Sequence, residues 1–164
     1  GFSFAFVCAN DDFINEEQLC QATAAMWARV GLEPKIDIAP SSQQTAKFEG
    51  GKFDVAILGW ANEPMLDSYS ILVQVVHSPS GTAGVFNWGG WKPEGVDALI
   101  DKAGQTIDRT ERLGYQANAL QILHDDITFL PLHQQPMAWA TGKKVASVLQ
   151  LSDNKALHWL TMMQ

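Results

Sequence analysis

Chemistry-bearing residues concentrate in one stretch, Phe53-Asp54-Val55-Ala56-Ile57-Leu58-Gly59-Trp60-Ala61-Asn62-Glu63-Pro64-Met65-Leu66-Asp67. Trp60 is followed by two carboxylates, Glu63 and Asp67, four positions apart around Pro64. Such a pair could do acid/base work. The Trp offers a large, rigid face for a planar or apolar group. Val55 to Leu58 form an unbroken apolar run, the pattern of a strand covered on both faces. Gly59 then lets the backbone turn or approach a neighbour closely. Ligands of open α/β sheets sit outside the carboxyl ends of strands, so a Trp and two acids there form a candidate recognition site. The competing reading is a core Trp followed by two solvated loop acids.

Other chemistries lack their residues. There is no Gly-x-Ser-x-Gly elbow, no Gly-x-Gly-x-x-Gly after a strand and no Gly-Lys-Ser/Thr loop. His77, His124, His133 and His158 are never paired at metal-ligand spacing, so neither a metal nor a cofactor is expected. Each reads as a structural or surface histidine. Among six tryptophans, Trp60, Trp88 and Trp91 fall in or beside loops near the expected strand ends, while Trp27 and Trp139 are expected in the core.

Behind these residues stands an α/β pattern. Phe2, Phe4 and Phe6 alternate with small residues over a strand at 2–8. Asn15, followed by Glu16, Glu17 and Gln18, reads as a capping box opening a helix to about Val30. Leu19, Ala22, Met26 and Val30 form its expected buried stripe, with Gly31 as C-cap. Glu33 to Ala39 is a second strand, giving a βαβ start with parallel strands and a right-handed crossover. A short helix begins at Pro40, capped by Ser41 or Ser42, and ends at Gly50-Gly51. Ser68 to Val76 is expected to be helical, and His77 to Gly84 a loop. Pro93 suits the first turn of a helix striped by Val96, Leu99, Ile100 and Ala103. Asp108 caps a helix over about 109–125 with apolar positions Leu113, Ala117, Leu120 and Leu123. Residues 127–133, 136–140, 145–149 and 157–162 read as extended. The sheet is expected to be mixed and flanked by helices, with an α+β roll as the alternative.

Composition narrows the partners. The 164 residues are 46% hydrophobic and 18% charged, a globular balance. Net charge is −7 with no basic patch, so nucleic acid and anionic membranes are poor partners. No apolar run reaches the roughly 18 residues of a membrane span, so no insertion is expected. Gly1 to Val7 lacks a charged leader and a cleavage site and is not a signal peptide. A chain opening directly in a strand is expected to be a piece of a larger protein. Cys8 and Cys20 could close a small strand-to-helix loop worth about 3 kcal/mol, or stay as two buried thiols; the residues alone leave both open.

The order of features resembles a known family. Gly-Phe at a strand start, Asn10-Asp11, Ala28-Arg29-Val30-Gly31-Leu32, Phe53-Asp54 and Leu58-Gly59-Trp60 with its acidic loop come first. Then follow Asn87-Trp88-Gly89-Gly90-Trp91-Lys92-Pro93-Glu94-Gly95-Val96-Asp97-Ala98-Leu99-Ile100, Asp108-Arg109-Thr110-Glu111-Arg112 and Phe129-Leu130-Pro131-Leu132. Across nearly the whole chain this resembles the family-5 extracellular solute-binding proteins of ABC transporters, the group that includes oligopeptide-, dipeptide- and nickel-binding proteins.

The resemblance implies a type II periplasmic-binding-protein lobe: residues 1–140 as most of the C-terminal lobe, 141–164 returning towards an N-terminal lobe. It implies an extracytoplasmic, periplasmic location, which favours the Cys8–Cys20 disulfide. It implies a monomer that binds a small solute, most readily a peptide, and delivers it to an inner-membrane permease without chemistry. In peptide-binding members an Asp three residues after the Trp pairs with the ligand's α-amino group; here that position is Glu63, with Asp67 as the alternative. An ammonium drawn into a closing cleft needs such a counter-charge. Trp60, Asn62, Trp88 and the Asn10–Asp12 loop are expected to line the same cleft. A sugar, an opine-like compound or a metal chelate are alternative ligands, since a fold does not fix its ligand. A hydrolase using Glu63 or Asp67, or a module docking its Trp-rich loops on a protein, are the competing classes. Alone, the 164-residue piece is expected to bind weakly, with half the cleft missing.

Overall fold

The computed structural model describes residues 1–62, 67–136, 140, 142–148 and 160–162. The chain divides into two compact units: Gly1–Trp60 with Ser78–Trp91, and Ala61–His77 with Lys92–Gln164.

The first unit is built on strand β1 (Ser3–Ala9), helix α1 (Glu16–Arg29), strand β2 (Glu33–Ala39), helix α2 (Ser41–Glu49) and the short strand β3 (Val55–Ala56). The strand order is β2-β1-β3, parallel throughout, with Ser3 opposite Glu33 and Phe6 opposite both Ile36 and Val55. As the central strand, β1 is buried on both faces: Phe4, Phe6 and Cys8 on one, Val7 and Ala9 on the other. Trp27 of α1 packs on that first face, its ring 5.4 Å from Phe4 and 4.9 Å from Phe6. Cys8 and Cys20 are joined as a disulfide and are wholly buried, tying the carboxyl end of β1 to α1. Gly31 has φ +84°, the left-handed geometry expected of a residue just past a helix end.

Several expectations need correction here. Helix α1 turns a different face inward: Glu16, Cys20, Thr23 and Ala24 are buried, Leu19 packs only partly on the core, and Ala22, Met26 and Val30 are exposed. The disulfide and the buried Glu16 set the helix phase, and a helix apolar on several sides does not reveal it. Asn15 lies at φ 62° and makes no side-chain cap. Ser41 and Ser42 do not cap α2 either; the Ser41 amide donates to Asp11 Oδ1 at 2.7 Å. The run at Val55–Leu58 is not covered on both faces. It pairs for two residues at the sheet edge, and Leu58 is 39% exposed. Asp54 fixes the entry to β3, its Oδ2 accepting from the Ala5 amide at 2.7 Å and its own amide donating to Ala5 O at 3.0 Å.

The second unit carries a helical turn α3 (Tyr69–Ile71) running on as a π-helix (Leu72–Val76), helices α4 (Val96–Gln105) and α5 (Arg109–Asp126), and antiparallel strands β4 (Val145–Val148) and β5 (Leu160–Met162). Val96, Ile100 and Ala103 of α4 are buried as expected. That helix begins only after Gly95, at φ 82°, so Pro93 precedes it and is not in its first turn. The Asp108 cap is present, Oδ1 accepting from the Glu111 amide at 2.9 Å. The buried face of α5 is Gln116, Ala119 and Leu123, whereas Leu113 and Leu120 stay 38% and 40% exposed and Ala117 is also exposed. Residues 127–136 form no regular element. The expected strand at 136–140 falls largely outside the described residues, as do Trp139, Leu149 and 157–159. No described helix is long and apolar enough to cross a membrane.

Candidate functional site

The carboxyl ends of all three parallel strands meet one cavity. Ala9 and Asp12 follow β1, Ser41 opens α2 after β2, and Ile57 to Trp60 follow β3. The cavity holds about 330 Å³, and its described lining belongs to the first unit. Its walls are aromatic. Trp88 stacks on Phe48 at 4.7 Å and 12°, and Phe86 stands edge-on to both Trp60 and Trp88 at 5.4 Å. Such offset and edge contacts hold rings in place beyond what area alone would give. Helix α2 contributes one stripe, Ser41, Thr45 and Phe48, at helical spacing.

The loop from Ser78 to Trp91 supplies Phe86 and Trp88 and is fastened by its own hydrogen bonds. Ser80 and Ala83 exchange backbone hydrogen bonds of 3.1 and 2.9 Å. Asn87, largely buried, acts as a substitute strand: Nδ2 donates to Trp91 O at 2.7 Å, and Oδ1 accepts from the Trp91 amide at 3.0 Å. Gly59 faces Phe13 so closely that an added Cβ would fall 2.7 Å from its ring. Close approach, and not a positive φ, is what this position demands.

Among the described residues three acids and no base line the cavity: Asp12, Glu16 and Glu49. Glu16 is 2% exposed, and its oxygens accept from the Ala9 amide at 3.1 Å and the Asp12 amide at 3.2 Å. Desolvation outweighs those hydrogen bonds and pushes its carboxyl above the ordinary range. Glu16 therefore fixes the loop leaving β1, whereas the capping box expected at Asn15 does not form.

The expected site residues are not all brought together. Trp60 and Trp88 share the cavity wall. Asn10 is exposed beside it and does not line it; Asp12 from the same loop does. Asn62 is exposed in the second unit, and Glu63 lies outside the described residues. Asp67 also belongs to the second unit, where its carboxylate is already engaged. Oδ1 accepts from the Tyr69 amide at 2.9 Å and Oδ2 pairs with Arg112 of α5. One turn on, Gln116 Oε1 accepts from the Ser68 amide at 3.1 Å. His77 is buried near Asp97 and Asp101 of α4, with 3.4 Å from Nε2 to Asp101, while His124 and His133 are exposed and His158 is not among the described residues. No metal-binding cluster occurs among the described residues. Phe48 and Phe86 escaped the sequence reading, although the 41/45/48 spacing on α2 would have signalled Phe48.

No family model matches the chain. It is 24% identical over 109 residues to di/tripeptide-binding protein 1 of Pseudomonas aeruginosa strain UCBPP-PA14, a match covering 65% of this chain and 19% of that protein. Among solved structures, it is similar to NikA from Staphylococcus aureus in complex with Ni(L-His)2, with TM-score 0.65 and 16% identity, covering 77% of this chain and 26% of that one. It is likewise similar to the Escherichia coli murein tripeptide binding protein MppA, with TM-score 0.62 and 16% identity, covering 77% and 23%. The chain thus spans about a fifth to a quarter of the length of these relatives. The matches are to the group that its sequence pattern resembles, and its fold is that of a lobe of a solute-binding protein.

Proposed function

We propose that this chain is the ligand-binding lobe of an extracytoplasmic solute-binding protein that captures peptides for an ABC transporter. The observation that carries the reading is the aromatic, acid-lined cavity at the carboxyl ends of β1, β2 and β3, in a fold shared with peptide-binding proteins. The similarity to a di/tripeptide-binding protein supports the same ligand class. Trp60, Phe86 and Trp88 would stack on apolar or planar ligand groups, and Asn10 and Asn62 would offer the ligand amide contacts. Glu63 would pair with the ligand's ammonium; Asp67 is the weaker candidate, because a ligand would first have to displace Arg112. Residues 141–164 would return the chain towards a second lobe. Closure of two lobes over the peptide, followed by docking on a membrane permease, completes the role, and no bond is made or broken.

Tryptophan fluorescence titration with alanine di- and tripeptides tests it. Trp60→Ala and Trp88→Ala should each weaken binding by about tenfold or more, as loss of a buried aromatic contact does. Equal affinity in all three proteins would sink the assignment. One observation favours a second reading, a metal chelate: the similarity to NikA, solved with a nickel–histidine complex. Ni(L-His)2 titrated in the same assay separates the two.

A further inference from the structure

The strand-end cavity does not end at its own walls. A second cavity of about 520 Å³ is lined by Pro79, Ser80, Gly81, Ala83 and Asn87 of the hydrogen-bonded loop. The two share Glu49, Val85 and Trp88. The first alone sits at the small end of the roughly 300–1,000 Å³ typical of ligand sites. The two adjoin at these three residues, all of which belong to the first unit.

Glu49 stands at the junction. It is the last residue of α2, exposed, and has no hydrogen-bond or ion-pair partner among the described residues. Glu16, by contrast, spends both oxygens on backbone amides. Among the described residues no lysine, arginine or histidine lines either cavity. Next to Glu49 lies the Phe48–Trp88 stack, whose indole face suits the alkyl stem or charge of a cationic side chain. Beyond it the loop presents only neutral groups.

We infer that Glu49 selects ligands carrying a positive side chain, and that such ligands extend from the strand-end cavity across Trp88 into the second one. This rests on the peptide reading above and adds to it a substrate class, basic peptides, and a residue that chooses them. The test is calorimetric titration of the full protein with Ala-Ala-Ala, the three tripeptides with one lysine, and Ala-Glu-Ala. Affinities are read as ratios to Ala-Ala-Ala within each variant. The unaltered protein should prefer at least one lysine peptide by about tenfold, the scale of a partly exposed charge-assisted contact. Glu49→Gln should bring that ratio to near unity and relieve the penalty on Ala-Glu-Ala. Binding without a lysine preference, or a preference that survives Glu49→Gln, would overturn the inference while leaving the peptide reading standing. Failure of every tripeptide to bind would overturn both.

Discussion

Reducing the Cys8–Cys20 bond should destabilise the protein by an amount set by the loop it closes. The two residues are 12 apart in sequence. For a loop of that length the chain-entropy relation gives about 3 kcal/mol at room temperature. In a domain of this size that corresponds to a fall in Tm of roughly 6–12 °C. Both sulfurs are buried, so reductant reaches them only when β1 and α1 part. The assay compares thermal melts of oxidised protein, protein refolded under reductant, and the Cys8→Ala/Cys20→Ala variant. The reduced protein keeps its core volume, so its loss isolates the cross-link; the variant should lose more, because it also leaves a cavity. Under mild reductant the folded protein should lose the bond only as fast as it opens. A reduced protein melting within about 2 °C of the oxidised one, well inside the shift expected from the loop length, would refute the reasoning. So would reduction of the folded state as fast as that of an exposed disulfide.

Other outcomes follow from single contacts. Arg112→Met removes the partner of Asp67, whose side chain is 8% exposed, and should cost roughly 3 kcal/mol, read from urea midpoints. Adding Asp67→Leu should recover most of that loss, and a double variant as unstable as the single one would contradict the pairing. Glu16 gives a pH signature. Its folded pKa is raised by desolvation, so the folded state holds that proton to higher pH than the unfolded chain does. Its contribution to stability therefore falls as pH rises from about 4.5, the ordinary value, through the folded pKa, and is flat above. Glu16→Gln should thus gain on the unaltered protein as pH rises through that window, whatever its constant offset. A pH-independent difference would count against a buried, desolvated carboxyl. Asp37 runs the other way: its hydrogen bond to Lys47 lowers its pKa, so its contribution is lost as pH falls through the folded value.

The sequence was most legible where local rules act alone. The βαβ start, the glycine after α1, the Asp108 cap and the α4 stripe are settled within a few residues, and each is found. Legibility failed where a distant group decides. The phase of α1 is set by a disulfide to β1, and the start of α2 by Asp11, thirty positions away. Leu113 and Leu120 outscore Gln116 on hydropathy, yet Gln116 is the residue drawn inward, to satisfy the Ser68 amide. Within the site, Trp60 and Trp88 stood out by type, while the cavity they share with Phe48 and Phe86 depends on four chain segments meeting. Asp67 reads in the sequence as an unpaired loop acid, and its partner Arg112 lies 45 positions on, beyond the reach of local rules.

The most direct measurement is native mass spectrometry of the full natural protein, purified without denaturation. Peptide capture predicts a ladder of adducts at peptide masses, displaced on adding excess tripeptide. A bare protein mass that stays unchanged when di- and tripeptides are added, or a single adduct of non-peptide mass, would contradict it.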